Sequence, residues 1–198
     1  SYKIIPDLCT NSVDIEVTIC EGRAGRIKKI NFCDFTKEER DDILQEMITK
    51  KYYLLTSWYT GEGVYNEEAI QQDRFTILNY LQNEGYADAV VDIMVEEACQ
   101  KDRINITVQA EKGDMYYFGP ITFEGNTLFC DADIERLFLF EEGDPFSPED
   151  MRDTVKRITD FYGRRGYIDA VVDYEPRLDH ECRTFSVHFT IEEGEQYR

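Results

Sequence analysis

The sequence predicts an α+β fold of tandem β-α-α-β-β modules, each a three-stranded mixed sheet with two helices on one face. Three observations predict it: an internal repeat, the same order of helical and strand-like apolar spacings in both copies, and strands with a single apolar face. Because the polar face of such strands stays in water, helices are expected to cover only the other face of each sheet.

The repeat is clearest in the segments 85–92 and 166–173, which read G-Y-A-D-A-V-V-D and G-Y-I-D-A-V-V-D. Seven of these eight positions are identical, at an offset of 81 residues. Upstream, R-I-K-K-I-N-F at 26–32 matches Y-F-G-P-I-T-F at 117–123 at an offset of 91 residues. The difference between 91 and 81 gives the first copy ten additional residues, which we place in the aromatic segment 51–65.

The repeat also predicts the domain boundaries. Apolar and polar residues alternate over 13–19, and C-E-G at 20–22 corresponds to E-K-G at 111–113. We therefore expect the C-terminal hairpin of a truncated module at 1–22. A complete first module follows at 23–113 and a complete second module at 114–198.

Helix signals recur at matching places in the two modules. Thr36 and Glu39 predict a capping box at the first helix of the first module, and Asp131 is the expected cap in the second. Asn66 and Ser147 are expected to cap the second helices, the latter with Pro148 at the first helical position and Asp150 completing a box. The inward face of the first helix is expected at Ile43, Leu44, Met47 and Ile48.

Two alternating strands end each module, at 89–95 and 104–110 in the first and at 170–174 and 185–191 in the second. Two helices return the chain to the end of strand one, so strand two is expected to run antiparallel to it. Strand three then lies between the other two and runs parallel to strand one. Strands one and two are therefore expected to be open edges.

The composition argues against several classes of protein. The chain has 41 Asp and Glu residues against 22 Lys and Arg, a formal net charge of −19, so nucleic acid is not an expected partner. The Asp-rich strands have no companion base or nucleophile, so we expect neither an enzyme nor a catalytic residue. Two histidines and six cysteines without metal-like spacing predict no metal site and no cofactor. A Cys20–Cys99 disulfide across the first junction is geometrically possible.

Three kinds of segment resemble POTRA domains. They are Y-F-G-P-I-T-F-E-G-N at 117–126, the G-Y-x-D turns at 85–88 and 166–169, and F-T-I-E-E-G at 189–194. The resemblance covers nearly the whole chain and is strongest to outer-membrane protein assembly factors of the BamA type. The first module departs from it after Phe32, where Cys-Asp-Phe replaces Glu-Gly-Asn, and in its aromatic insertion.

In that family, tandem POTRA domains project into the periplasm from a C-terminal β-barrel. The resemblance therefore implies the periplasmic portion of an outer-membrane protein, whose own C-terminal β-barrel lies outside this fragment. It implies a docking arm that binds unfolded outer-membrane proteins and accessory assembly lipoproteins. The alternatives are the POTRA region of a two-partner secretion transporter and an acidic α/β protein-interaction module unrelated to export.

Open edge strands are the first candidate binding site, because a client strand can extend a sheet through their unpaired backbone groups without needing a particular sequence. Alternatively, the edges bind nothing and their aspartates only prevent aggregation. The candidate edges comprise two runs of residues: Ala87, Asp88, Ala89, Val90, Val91, Asp92 and Ile93, and Ile168, Asp169, Ala170, Val171, Val172 and Asp173.

The aromatic insertion is the second candidate surface, because exposed aromatic side chains often anchor interfaces. The favoured alternative is that these side chains pack over the module's own core or against the neighbouring module. A fully buried Trp58 would argue for that alternative. The candidate residues of this partner loop are Tyr52, Tyr53, Trp58, Tyr59 and Tyr65.

Overall fold

The computed structural model describes residues 2–7, 12–17, 25–53, 57, 63–98 and 103–197. No helix within these residues has the length and apolar character needed to cross a bilayer. In chain order the elements are β1 (Tyr2–Asp7), β2 (Ser12–Val17), β3 (Arg26–Cys33), α1 (Lys37–Glu46), α2 (Glu67–Asn83), β4 (Val90–Glu97), β5 (Arg103–Glu111), β6 (Tyr117–Glu124), α3 (Asp131–Glu135), α4 (Pro148–Gly163), β7 (Val171–Asp179) and β8 (Thr184–Glu192).

The strands form one antiparallel hairpin, β1–β2, and two three-stranded mixed sheets. In the first module the order is β3-β5-β4, with β5 parallel to β3 and antiparallel to β4. In the second module the order is β6-β8-β7, with the same directions. The predicted fold class and the predicted central position of strand three are therefore confirmed.

Each module has its own core between its sheet and its helices. The core of the first module is largely aliphatic, with Ile77 of α2 and Ile106 of β5 fully buried. The core of the second module is aromatic: the Phe118 and Phe140 rings stack with centroids 3.7 Å apart, and Phe189 is fully buried. Alternate residues of β5 and β8 face these cores, which is the spacing that the sequence predicted.

Three of the four predicted helix caps are confirmed. Thr36 and Glu39 form a complete capping box, and Asn66 Oδ1 accepts from Glu68 N–H at 2.8 Å. Ser147 Oγ accepts from Asp150 N–H at 3.1 Å, which is one half of the predicted box. The prediction for α3 is wrong, because Cys130 occupies the cap position and makes no side-chain capping bond.

Local geometry explains that error and one other. The Asp131 carboxylate accepts a hydrogen bond from the Asn126 amide at 2.7 Å, so the preceding loop already uses it. Ile48 was expected to face inward but is 55% exposed. Helix α1 ends at Glu46 and Met47 is extended, with ψ of 141°, which turns the next side chain outward.

A buried carboxylate binds the backbone just before the aromatic insertion. Asp73 of α2 is fully buried and accepts hydrogen bonds from the backbone N–H groups of Ile48, at 2.7 Å, and Thr49, at 3.0 Å. The residue 81 positions later is Thr154, whose buried hydroxyl has no hydrogen-bond partner. The two modules therefore have different polar groups at equivalent positions. The Asp73 carboxylate of the first module binds backbone amides, whereas the Thr154 hydroxyl of the second binds no group among the described residues.

Strand one is not an open edge over its whole length, so that expectation is wrong in part. In the first module Ile27 N–H donates to the Gly63 carbonyl at 2.8 Å, and Tyr52 N–H donates to the Ile27 carbonyl at 2.9 Å. In the second module Phe118 N–H donates to the Asp144 carbonyl at 2.8 Å. The segment before each second helix therefore covers the first half of each first strand.

The two modules share a hydrogen-bonded junction. Tyr116 N–H donates to the Gly85 carbonyl at 2.8 Å, and the Tyr116 hydroxyl donates to the Asp88 carboxylate. The Asn83 amide donates to Glu149 Oε2 at 2.7 Å, and Glu149 N–H donates to Asn83 Oδ1 at 3.2 Å. The last turn of α2 thus meets the first turn of α4.

The end of the second module repeats the geometry of this junction. Tyr197 lies 81 residues after Tyr116, and its N–H donates to the Gly166 carbonyl at 2.8 Å. A hydrogen bond to Asp169 raises the pKa of the Tyr197 hydroxyl, as the bond to Asp88 raises that of Tyr116. The G-Y-x-D turn of each module therefore binds the tyrosine that follows that module, through the glycine carbonyl and the aspartate carboxylate.

Candidate functional site

The outer edge of β4 exposes the backbone groups of alternate residues. Just beyond the strand, Ala98 N–H donates to the Arg103 carbonyl at 2.8 Å. In an antiparallel pair the residues alternate between those that bond the partner strand and those that point away from it. Counting back from Ala98, the backbone groups of Val91 and Ile93 point away from β5. In agreement, Ile93 N–H donates to the Asp92 carboxylate at 3.0 Å.

The same count applies to β7, where the residues 81 positions later are Val172 and Tyr174. Pro176, two residues further on, pairs with Val187 of β8. Proline has no N–H, and within a sheet it occupies positions whose N–H would face solvent. Its place in β7 supports the assignment of outward-facing backbone groups to Val172 and Tyr174.

The predicted edges begin before the strands do. Strand β4 starts at Val90, so Ala87 and Asp88 lie in the turn and Ala89 immediately precedes the strand. In the second module β7 starts at Val171, and Ile168, Asp169 and Ala170 precede it in the same way. Asp88 is moreover bonded to Tyr116. Within the candidate sites, residues 90–93 and 171–173 are therefore the parts that lie in strands.

Side chains on the solvent face of these edges are a mixture of apolar and acidic groups. Val90 is 61% exposed and Val171 is 49% exposed, whereas Val91 and Val172 are buried beneath the helices. Asp92 stands between the apolar residues and lies 3.7 Å from Arg74 of α2. A client strand laid along either edge would meet apolar side chains on both faces and a carboxylate on the outer one.

The aromatic insertion divides between packing and exposure. Tyr65 packs against the core of the first module, and half-buried Tyr52 lies with its ring centroid 4.8 Å from the Arg26 guanidinium carbon. Tyr53 is 62% exposed. Trp58 and Tyr59 lie outside the described residues. Packing on the module's own core therefore accounts for Tyr65, and Tyr53 is the described residue that fits a partner surface.

A family model described as "Surface antigen variable number repeat", POTRA, matches residues 25–113 and 116–194, which is most of the chain. The chain belongs to the POTRA family.

Curated relatives of these POTRA modules are named as outer membrane protein assembly factors. The "Outer membrane protein assembly factor BamA" of Neisseria meningitidis is 27% identical over 194 residues, which is 96% of this chain and 24% of that protein. A "Putative outer membrane protein assembly factor" of Treponema pallidum is 24% identical over 190 residues, 93% of this chain and 22% of that protein. The chain thus spans about a quarter of the length of the curated relatives it matches.

Solved POTRA structures share the fold. BamA of Haemophilus ducreyi lacking POTRA domains 1-3 superposes with a TM-score of 0.61 at 17% identity, covering 84% of this chain and 29% of that one. The POTRA3-5 structure of Haemophilus influenzae BamA gives a TM-score of 0.58 at 20% identity, covering 88% of this chain and 68% of that one. At these identities the likeness concerns the fold.

The residue before the closing glycine differs between the two POTRA modules. In the first it is Lys112, whose ammonium lies 2.8 Å from both Glu39 oxygens. In the second it is Glu193, which accepts from Thr127 Oγ1 at 2.6 Å, Leu128 N–H at 2.9 Å and the Tyr162 hydroxyl at 2.9 Å. Desolvation alone would raise the pKa of the Glu193 carboxyl, but these hydrogen bonds outweigh it and hold that pKa below its ordinary value.

Glu193→Gln is expected to destabilise the second module by about 1 kcal/mol at pH 7, because an amide accepts these hydrogen bonds less well than a carboxylate. The pKa of Glu193 is lowered on folding, so its contribution is complete above the unfolded pKa of about 4.3 and is lost as the pH falls through the folded pKa. Urea unfolding from pH 7 to pH 3 should show the two proteins converging below about pH 4. Glu195→Gln, at an exposed site, is the control, and an equal effect there would contradict the prediction.

The described residues offer little for other chemistry. Nowhere among them do three or more His, Cys, Asp or Glu side chains group as metal ligands would. Cys33, Cys130 and Cys182 are exposed free thiols. Cys9, Cys20 and Cys99 lie outside the described residues, and so does the Cys20–Cys99 disulfide considered from the sequence.

Sequence reasoning located the edge strands but missed which of their residues face outward. That alternation depends on the hairpin register, for which Pro176 was the available signal. It also missed the covering of strand one, because those hydrogen bonds join residues more than twenty positions apart. No local pattern in the sequence reports such bonds.

Proposed function

We propose that this tandem POTRA chain is the periplasmic docking arm of an outer-membrane protein assembly machine, with modules bounded at 1–22, 23–113 and 114–198. In this proposal unfolded β-barrel clients and accessory assembly lipoproteins bind the arm, and the parent protein carries a C-terminal β-barrel. The family match and the printed names of the relatives from Neisseria and Treponema support this role.

The observation that carries the client-binding part is the outward-facing backbone of β4 and β7. Backbone hydrogen bonds do not depend on the side chains of the client, so one edge can accept many β-rich sequences. The fully paired central strands β5 and β8 offer no such edge, and the covered halves of β3 and β6 offer less of one. The client is therefore proposed to add as a fourth strand beside β4 or β7.

The edges differ in how well they can do this. In β7, Pro176 removes an outward donor, so its open stretch is short. In β4, the Asp92 carboxylate already accepts from Ile93 N–H, and a client carbonyl would have to displace it. Client binding at β4 therefore requires that carboxylate to turn toward Arg74 or water, which a lysine on the client could assist.

Val91→Pro is the direct test of strand addition at β4. The Val91 N–H points away from β5, so proline removes the donor offered to a client and leaves the β4–β5 hydrogen bonds in place. Photo-cross-linking of an unfolded outer-membrane β-barrel protein to β4 should fall by about tenfold. That loss is expected because the client loses one hydrogen bond and the proline ring obstructs its approach to the strand. Val172→Pro makes the same test at β7.

The matched control is Val91→Ala, which loses core volume but keeps the N–H. Amide spectra of both variants establish that the first module is still folded. If a folded Val91→Pro, Val172→Pro double variant cross-linked clients as well as the unchanged protein did, strand addition at these edges would be wrong. The docking role would then have to rest on another surface, such as that around Tyr53.

A further inference from the structure

A cleft of about 260 Å³ opens at the beginning of β3 and β5 on the first module, lined by Arg26, Ile27, Lys28, Tyr52 and Arg103. Arg26 and Arg103 are paired directly in the parallel ladder, so their side chains leave the same face of the sheet. Both side chains are exposed, as is that of Lys28. We call Arg26, Lys28, Tyr52 and Arg103 the basic cleft.

The backbone positions each of these groups. The register of β3 on β5 shifts between Ile27 and Lys29, so Lys28 is the extra residue of a bulge. Tyr52 N–H donates to the Ile27 carbonyl at 2.9 Å, which places the tyrosine ring beside the strand. The Arg26 guanidinium carbon then lies 4.8 Å from the centroid of that ring, a cation–π contact that restricts its motion.

The cations of the basic cleft are not paired with carboxylates in the part of the chain that the structure describes. The whole chain has a formal charge of −19. Three other exposed arginines, Arg40, Arg136 and Arg183, lie within 3.3 Å of a carboxylate oxygen, whereas Arg152 and Arg157 form no ion pair among the described residues. Among the described residues, Arg26, Lys28 and Arg103 form no ion pair with an acidic side chain. Three like charges converge on one small cleft in a strongly acidic protein.

The second module shows that the fold does not require this cluster. At the repeat offsets, Arg26, Lys28 and Arg103 correspond to Tyr117, Gly119 and Thr184. Tyr117 and Thr184 are paired in their ladder as Arg26 and Arg103 are in theirs. The same backbone is therefore built without any of the three cations, and the basic cleft is a property of the first module alone.

We propose that the basic cleft binds a phosphate group. A phosphate monoester carries nearly two negative charges and three acceptor oxygens, which matches two guanidinium forks and an ammonium better than a single carboxylate does. The cleft volume suits one such group with the tyrosine ring against its ester substituent. This inference concerns the solvent face of the first sheet, and it does not depend on strand addition at β4 or β7.

The test is a titration of the chain with inorganic phosphate, followed by backbone amide spectra at constant ionic strength. Saturable shifts are expected at Ile27, Tyr52 and Ile104, and none at the matched positions Phe118 and Phe185 of the second module. The double variant Arg26→Gln, Arg103→Gln should bind phosphate at least about tenfold more weakly, because two charge-assisted contacts are removed. The control Arg40→Gln, Arg136→Gln has the same change in net charge and should bind as the unchanged chain does.

Two further arms identify the source and the chemistry of the anion. Vesicles of phosphatidic acid in phosphatidylcholine, against phosphatidylcholine alone, report whether the cleft also takes a lipid headgroup or only a soluble phosphate. Acetate and a Glu-rich peptide test carboxylates in the same spectra. Shifts that never saturate, that survive in the double variant, or that acetate produces at equal concentration would overturn the proposal.

Discussion

Replacing Gly125 by alanine is expected to destabilise the second module by roughly 3–5 kcal/mol. Gly125 follows β6 with φ of +89°, a conformation that costs an L-residue about 1–2 kcal/mol. A Cβ atom there would also lie 2.1 Å from the carbonyl oxygen of Ile191 in β8. That oxygen belongs to the central strand, so relief of the overlap must disturb the pairing on which the sheet depends.

Gly143→Ala is the matched control, because it separates the conformational cost from the overlap. Gly143 has φ of +95°, and a Cβ atom there would have nothing within 4 Å. For this variant, only the conformational cost of a positive φ, about 1–2 kcal/mol, is expected. Urea unfolding monitored by amide signals of β8 and β5 compares the two variants and assigns the loss to the second module. Equal losses in the two variants would show that the contact with Ile191 is unimportant.

Asp73→Ala is expected to destabilise the first module by about 3 kcal/mol, since it leaves one partly buried and one buried backbone donor, Ile48 N–H and Thr49 N–H, without their acceptor. The loss should be accompanied by fast hydrogen exchange of those two amides, because nothing else in α2 replaces the carboxylate. Chemical denaturation gives the stability, and exchange rates give the local effect. Unchanged protection of both amides would contradict the structural role of Asp73.

At Thr154, the position equivalent to Asp73 in the second module, a substitution is expected to raise stability. Thr154→Val removes a buried hydroxyl that has no hydrogen-bond partner, and keeps the shape of the side chain. The second module should become more stable by up to about 1 kcal/mol, because an unpaired buried hydroxyl is costly. A loss of more than about 1 kcal/mol would mean that this hydroxyl has a partner after all.

Much of the fold could be predicted because its signals are local. The capping box of Thr36 and Glu39, the cap at Ser147, and the alternation along β5 and β8 are each written within a few neighbouring residues. The repeat then transferred each assignment from one module to the other. The central position of β5 and β8 followed from chain connectivity alone.

Features that depend on distant residues could not be predicted in this way. The role of Asp73 requires knowing that α2 passes the end of α1, and the covering of β3 requires knowing where Gly63 lies. The basic cleft joins Arg26 and Arg103, which meet only because β3 and β5 pair in parallel. Asp131 shows that a local signal can also mislead. The sequence predicts that its carboxylate caps α3, but the carboxylate accepts a hydrogen bond from the Asn126 amide.

The junction has a consequence for how the protein moves. Asn83 links the last turn of α2 to the first turn of α4, and Tyr116, just before β6, is bonded to the G-Y-x-D turn of the first module, so several hydrogen bonds join the modules at two places. A hinge about any one contact would stretch the others. The two modules should therefore tumble in solution as one particle, and a force applied to one module would rotate the other with it.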